Sequence, residues 1–129
     1  MKEDEQQKIL RLHHELLQSQ CYVFPYIGKV NVSLNQGVYI VYDNNNIVLH
    51  VGKTNGARNG LNQRLQDHVC NRSSFSKLYM QLNKIALRGW GKFQFIEIAD
   101  ARERSLLEAL SAGLLCPKHI GTGEKKSNK

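Results

Sequence analysis

The residues whose types and spacing could do chemistry begin at Gly37-Val38-Tyr39, followed after ten residues by His50-Val51-Gly52-Lys53-Thr54. Arg64 and His68 come next, four positions apart, a spacing that puts both on one face of a helix. Glu108 stands in a densely apolar stretch beside Leu106, Leu107 and Leu110, with Pro117 beyond it. Together these groups contain what phosphodiester hydrolysis needs: a cation for the phosphate, a base for water and stabilisation of the leaving oxygen. Arg64 offers a forked donor to non-bridging oxygens. Glu108 can hold a hard divalent cation, Mg²⁺ or Mn²⁺, and one carboxylate implies one ion per site.

Taken singly, each residue has a plainer explanation: Tyr39 a core aromatic, His50 a strand histidine, His68 a helix-surface residue, Glu108 a solvated carboxylate. The set is more specific than its members. The Gly-Val-Tyr and His-Val-Gly pair, the Arg-x-x-x-His step, the helix glutamate and the following proline resemble the GIY-YIG nuclease family, over about Gly37 to Pro117. The resemblance implies a metal-dependent endonuclease acting on DNA, with Tyr39 as general base and Glu108 as metal ligand. His50, Arg64 and His68 complete the implied catalytic set. A phenol has an ordinary pKa of about 10, so the base role requires cations such as Arg64, Lys53 or the metal to lower it.

Two departures mark this chain. His50 replaces the tyrosine usual in the second motif, and an imidazole with an ordinary pKa near 6.5 can also accept a proton or donate to phosphate. Ile120 stands three residues after Pro117, where the family commonly has Asn, leaving His119 or Asn128 to compensate. Two look-alikes are set aside. Gly52-Lys53-Thr54 resembles the end of a P-loop, but the earlier glycine it needs falls at Ile47. Tyr26-Ile27-Gly28-Lys29 spells the second family motif but precedes the first, and so reads as coincidence in a connecting segment.

Elements that could position these groups are legible around them. Ile9, Leu12, Leu16 and Leu17 recur at helical steps, predicting an amphipathic helix from Glu5 to about Ser19. Residues 20–36 read as an irregular or extended lead-in. Gly37–Tyr42 and Ile47–Val51 flank the turn-forming run Asp43–Asn46, a hairpin signal. A glycine-containing loop precedes a helix carrying Leu61, Leu65 and His68, and a second helical pattern spans about Phe75–Leu87. A strand over Phe93–Glu97 and a helix over Ala101–Leu115, capped by Asp100, complete the order α, β, β, α, α, β, α. The fold class is α+β, a three-stranded, mainly antiparallel sheet flanked by helices with an extra N-terminal helix. Residues 1–36 are the helix and lead-in, 37–120 the catalytic domain, and 121–129 a flexible basic tail.

Composition agrees with this assignment. The 129 residues, 41% hydrophobic, fill one modest core. Lys and Arg outnumber Asp and Glu 18 to 11, a net charge of +7, which favours polyanions, nucleic acid first. Lys53, Arg58, Asn62, Arg72 and Lys77 are the candidate DNA-binding residues, for double-stranded or branched DNA. No apolar run approaches the ~20 residues of a membrane span, so a cytoplasmic, nucleoid-associated protein is expected. Cys21, Cys70 and Cys116 are odd in number and widely spaced, which points to reduced, mostly packing thiols. Two further readings remain: a DNA-binding module that has lost catalysis, and an accessory homodimer joined through Leu12, Leu16 and Leu17.

Overall fold

The computed structural model describes residues 2–120; Asn128 and the predicted basic tail lie outside them. Helix α1 spans Glu5–Gln18, starting from a reciprocal cap in which the Asp4 carboxylate accepts from Gln7 N and the Gln7 side chain accepts from Asp4 N. Strand β1 is the pair Tyr22–Val23, β2 spans Gly37–Tyr42 and β3 Val48–Lys53. Helix α2 covers Gly60–Val69, a π-helical segment Phe75–Met80, β4 Lys92–Glu97 and α3 Ala101–Leu115. Asp100 caps α3 as expected, its carboxylate accepting from Glu103 N at 2.9 Å.

The sheet is antiparallel in the order β1-β4-β2-β3. It therefore has four strands rather than three. The extra one is two residues long, too short to show a periodic pattern, and it pairs Tyr22 with Phe93 and Val23 with Lys92. β2 lies between β4 and β3 and is covered on both faces, which is why Gly37–Val41 is a continuous buried run instead of an alternating one. Tyr39 and Val41 face a core built with Leu61 and Leu65 of α2, Phe75 and Phe93. Val38 and Ile40 face the other core, shared with Ile9, Leu12 and Leu16 of α1 and Leu107 of α3. Leu12 and Leu16 are thus buried by the chain itself, while Leu17 is exposed, so these three do not form a free oligomerisation stripe.

The helical pattern at Phe75–Leu87 resolves differently from expectation. Only Phe75–Met80 is helical, and it is wound as a π-helix. Past its end at Met80 the chain turns, with Asn83 Nδ2 donating to the Tyr79 carbonyl at 2.8 Å and Lys84 at a positive φ of 56°, so no helix continues to Leu87. Of the cysteines, Cys21 and Cys116 are exposed and only Cys70 is half-buried, so packing is the smaller part of their role. No helix among the described residues is long and apolar enough to cross a membrane.

Candidate active site

The glycines of both motifs are required by the sheet itself. A Cβ at Gly37 would lie 2.1 Å from the Ile96 carbonyl oxygen and 2.9 Å from Leu61 Cδ1, so only glycine lets β2 approach β4 and α2 there. Gly52 pairs with Tyr39 across the β2–β3 ladder, and a Cβ on it would meet Tyr39 Oη at 2.3 Å. The second glycine is therefore the floor on which the tyrosine ring lies. Thr54 extends the ladder, its Oγ1 accepting from Gly37 N at 3.0 Å while its own N–H donates to Gly37 O at 3.0 Å.

Tyr39 is fully buried, and its hydroxyl lies 2.6 Å from His68 Nε2. His68 Nδ1 lies 2.7 Å from Ser73 Oγ, which in turn sits 3.0 Å from Ser76 Oγ. Burial holds the Tyr39 phenol above its ordinary range, with the Arg64 guanidinium pulling the other way and Glu108 and Asp67 adding to the rise. Burial likewise holds His68 well below its ordinary value, helped by His50, Arg64 and His119. With His68 neutral, donation from Tyr39 to Nε2 leaves the Nδ1 proton for Ser73, so both ring nitrogens are satisfied.

His50 occupies the place of the family's second tyrosine and is 4% exposed. Its ring stacks on Phe75 at 4.6 Å and 9°, with the His68 ring 5.1 Å away, His119 5.4 Å and Tyr39 6.0 Å. Neither ring nitrogen meets a hydrogen-bond partner among the described residues, and the Arg64 Nε is in the same position. Burial, then the neighbouring His119 and Arg64, depress the His50 pKa to about 3, against a weak opposing pull from the His119 backbone. The imidazole is neutral at physiological pH.

Glu108 is half-buried, and its carboxyl is held above the ordinary range by burial, with Lys53 and Arg64 opposing. It joins none of the ion pairs formed among the described residues. The Arg64 charge is felt by Tyr39, His50, His68 and Glu108, the other four residues predicted as catalytic. Of the predicted DNA-binding residues, Lys53 lies beside this site, its Nζ bonded to Asn55 at 2.7 Å. Arg58 and Lys77 are exposed and Arg72 is paired to Asp67 at 3.1 Å on the surface. Asn62 instead ties the lead-in to α2, its Oδ1 accepting from Val32 N at 2.6 Å and Ser33 N at 2.9 Å.

Four residues that hold the site carried no spacing signal. Ser73 and Ser76 anchor His68, Phe75 carries His50, and the buried Arg104 donates to the carbonyls of Thr54, Ile98 and Ala99, fastening α3 beside β3. Arg104 was recoverable in principle, as a charge on the apolar face of an otherwise regular helix. Ile120 is exposed, while His119 is the residue set against His50.

Among solved structures, the chain is similar to the GIY-YIG N-terminal endonuclease domain of UvrC from Thermotoga maritima. Two point-mutant forms of that domain, each bound to its catalytic divalent cation, align with 21% identity and a TM-score of 0.47, over 92% of this chain and 97% or 96% of theirs. No curated protein matches the chain. The family model of the GIY-YIG catalytic domain matches residues 35–114, so it takes in both strand motifs, Arg64, His68 and Glu108, and the chain belongs to that family.

Proposed function

We propose that the chain is a metal-dependent endonuclease that hydrolyses DNA phosphodiester bonds, with residues 37–120 as its catalytic domain. The observation that carries this reading is the buried pair of Tyr39 and His68, 2.6 Å apart, with the His50 ring beside both and the Arg64 charge acting on all three and on the half-buried Glu108. Phosphate would supply the acceptors that Arg64 Nε lacks.

A standing Tyr39 phenolate is disfavoured by the same burial that shapes the site. The 2.6 Å bond to His68 supplies another route, in which Tyr39 Oη takes a proton from the attacking water as its own proton passes to His68 Nε2, and the negative charge of a bound phosphate would offset the burial that otherwise keeps His68 neutral. His50, neutral and with both nitrogens open, is a second acceptor in reach of the same space. Its stacking on Phe75 fixes the ring plane without consuming either nitrogen.

Glu108 fits a hard cation, because a half-buried carboxylate outside the ion pairs of the described residues, with Lys53 and Arg64 acting on it without a salt bridge, has room for the direct counter-charge that a divalent ion would provide. No cluster of three potential metal-ligating side chains exists among the described residues, so Glu108 would be the protein ligand, with water and phosphate oxygens completing the shell. Bound there, Mg²⁺ or Mn²⁺ supplies Lewis-acid stabilisation of charge on the phosphate and the departing oxygen.

The test is nicking of supercoiled plasmid with Mg²⁺ or Mn²⁺ by wild type, Tyr39→Phe and Glu108→Ala. Wild type is expected to nick, and each variant to be slower by at least roughly a hundredfold. Variants as fast as wild type would remove these residues from the chemistry. A wild type that retards DNA but never cuts it would leave the second reading, a DNA-binding domain whose catalysis was lost with the exchange at His50.

A further inference from the structure

The segment Tyr26-Ile27-Gly28-Lys29 has no part in the site just described, yet it is firmly held at both ends. Its entry is fixed where Phe24 N donates to Gly91 O at 2.9 Å and Gly89 N to Phe24 O at 3.0 Å, with Phe24 itself buried. Its exit is fixed where Val30, also buried, donates from its N–H to Gln66 Oε1 at 2.8 Å. Between them Gly28 makes the turn at φ +89°, and Arg88 Nη1 donates to the Gly28 carbonyl at 2.7 Å and the Pro25 carbonyl at 3.4 Å. The Tyr26 ring lies against Gly89, where a Cβ would come within 2.3 Å of Tyr26 Cδ1.

At the tip of this braced turn, Tyr26 is 79% exposed and Ile27 81%. Apart from the contact of Tyr26 with Gly89, this aromatic and this large aliphatic side chain stand mostly in water. Beside them a groove of about 500 Å³ runs between the lead-in and α2, lined by Lys29, Asn31, Asn59, Gln63, Gln66 and Arg72 among others, and by no carboxylate. Lys29, the surface Arg72 with its Asp67 partner, and a wall of amides suit a phosphodiester strand, and the apolar tip suits the π-face of a base.

We propose that Tyr26 and Ile27 form a wedge that stacks on unpaired or unstacked bases while the adjoining groove holds the phosphodiester strand, so that the substrate is DNA with a branch, gap or flap. This rests on the endonuclease reading and specifies its substrate class. In continuous duplex the base faces are already stacked on one another, and a wedge gains only by opening a step at a cost in stacking. At a discontinuity that cost is absent.

The experiment measures binding of fluorescein-labelled flap DNA and of linear duplex of equal length by anisotropy, in EDTA so that cleavage does not interfere, across a range of KCl. Wild type is expected to favour the flap. Tyr26→Ala with Ile27→Ala should weaken flap binding by roughly five- to a hundredfold, leaving duplex binding and the salt slope unchanged, and Tyr26→Phe should keep most of the affinity. Lys29→Gln and Arg72→Gln should instead lower the salt slope by about one each. Because both tip residues are exposed, circular dichroism should show every variant folded. Equal flap affinity in wild type and the double variant would overturn the wedge while leaving the nuclease standing. Loss of binding to phosphatidylserine vesicles in the double variant, with DNA binding intact, would overturn it in favour of a membrane surface. A wild type that binds neither DNA would overturn the endonuclease reading itself.

Discussion

Tyr39 shows how one side chain can be committed to the core and to chemistry at once. Its ring fills the space above Gly52, and its hydroxyl reaches His68 at 2.6 Å. Gly52→Ala therefore cannot be a mild change: the new methyl occupies the position of the phenol, and Tyr39 must swing away from His68. Stability should fall by about 1–3 kcal/mol in urea titration, the cost of overpacking and of a buried nitrogen left unpaired, and nicking should fall with it; a variant as stable and active as wild type would show that the ring has room to spare. His50 allows a prediction in pH. Its folded pKa of about 3 lies below the ordinary 6.5, so between those values the unfolded chain binds a proton that the fold excludes. Stability is accordingly lost as pH falls through that window, by up to about 1.4 kcal/mol per pH unit, and His68 acts in the same direction. Glu108, with its raised pKa, opposes this weakly at the acid end. Urea midpoints between pH 7 and pH 4 should drop more steeply for wild type than for His50→Phe, and parallel slopes would contradict the buried neutral imidazole. At this scale the candidate groups were legible, because Tyr39, Arg64, His68 and Glu108 stand in a recognisable order and spacing. Their supports were not, since Ser73 and Ser76 reach His68 through side-chain hydroxyls that any turn sequence could carry.

Among elements, the hairpin and the π-helical segment divide the work of building the site. The hairpin brings Tyr39 and His50 to adjacent strands, and the segment after α2 delivers Phe75 under His50 and Ser73 under His68. A π-helix is wider than an α-helix and is kept where a local advantage offsets its poorer geometry, often at functional sites. Here Phe75 meets both histidines, stacked on His50 at 4.6 Å and edge-on to His68 at 5.3 Å. Phe75→Leu preserves an apolar core residue but removes the plane that orients His50. Nicking should fall by about tenfold or more if ring placement matters, by analogy with the cost of small misplacements in active sites, for a stability loss near 1 kcal/mol; unchanged nicking at unchanged stability would make the stack incidental. The boundaries of β2 and α3 could be read directly because each has an unambiguous local cause: a β-branched and aromatic run bounded by turn residues, and an Asp100 cap before a long apolar helix. β1 and the π-helical segment could not. Two paired residues have no period, and apolar residues spaced as in Phe75–Leu87 fit an α-helix, whereas the chain turns past Met80 through side-chain and backbone choices at Asn83 and Lys84.

For the whole molecule, the sheet is a partition between two cores, one on the side of Tyr39 and one on the side of α1 and α3. The side of Tyr39 carries α2, the π-helical segment and the histidines, and the opposite side carries α1 and α3. Glu108 comes from that opposite side and meets the others at β3, the edge strand, where the buried Arg104 fixes α3 to the backbone. Helix α1 is thus a wall of the layer that places Glu108, the proposed metal ligand. A charged residue in that wall tests this placement. The periodicity of Leu12 and Leu16 is equally that of an oligomer seam, and sequence alone does not distinguish a stripe buried by its own chain from one buried by a second copy. The structure buries Leu16 completely against Ile40, Leu107 and their neighbours. Leu16→Asp should then place an unpaired carboxylate in an apolar core and cost more than about 3 kcal/mol, seen as loss of the cooperative thermal transition in circular dichroism. Leu17→Asp, exposed on the same helix, should melt within a few degrees of wild type. If Leu16→Asp instead stayed folded and light scattering showed its mass halved relative to wild type, α1 would be an intermolecular element and the packing of both α1 and α3 against the sheet would need to be redrawn.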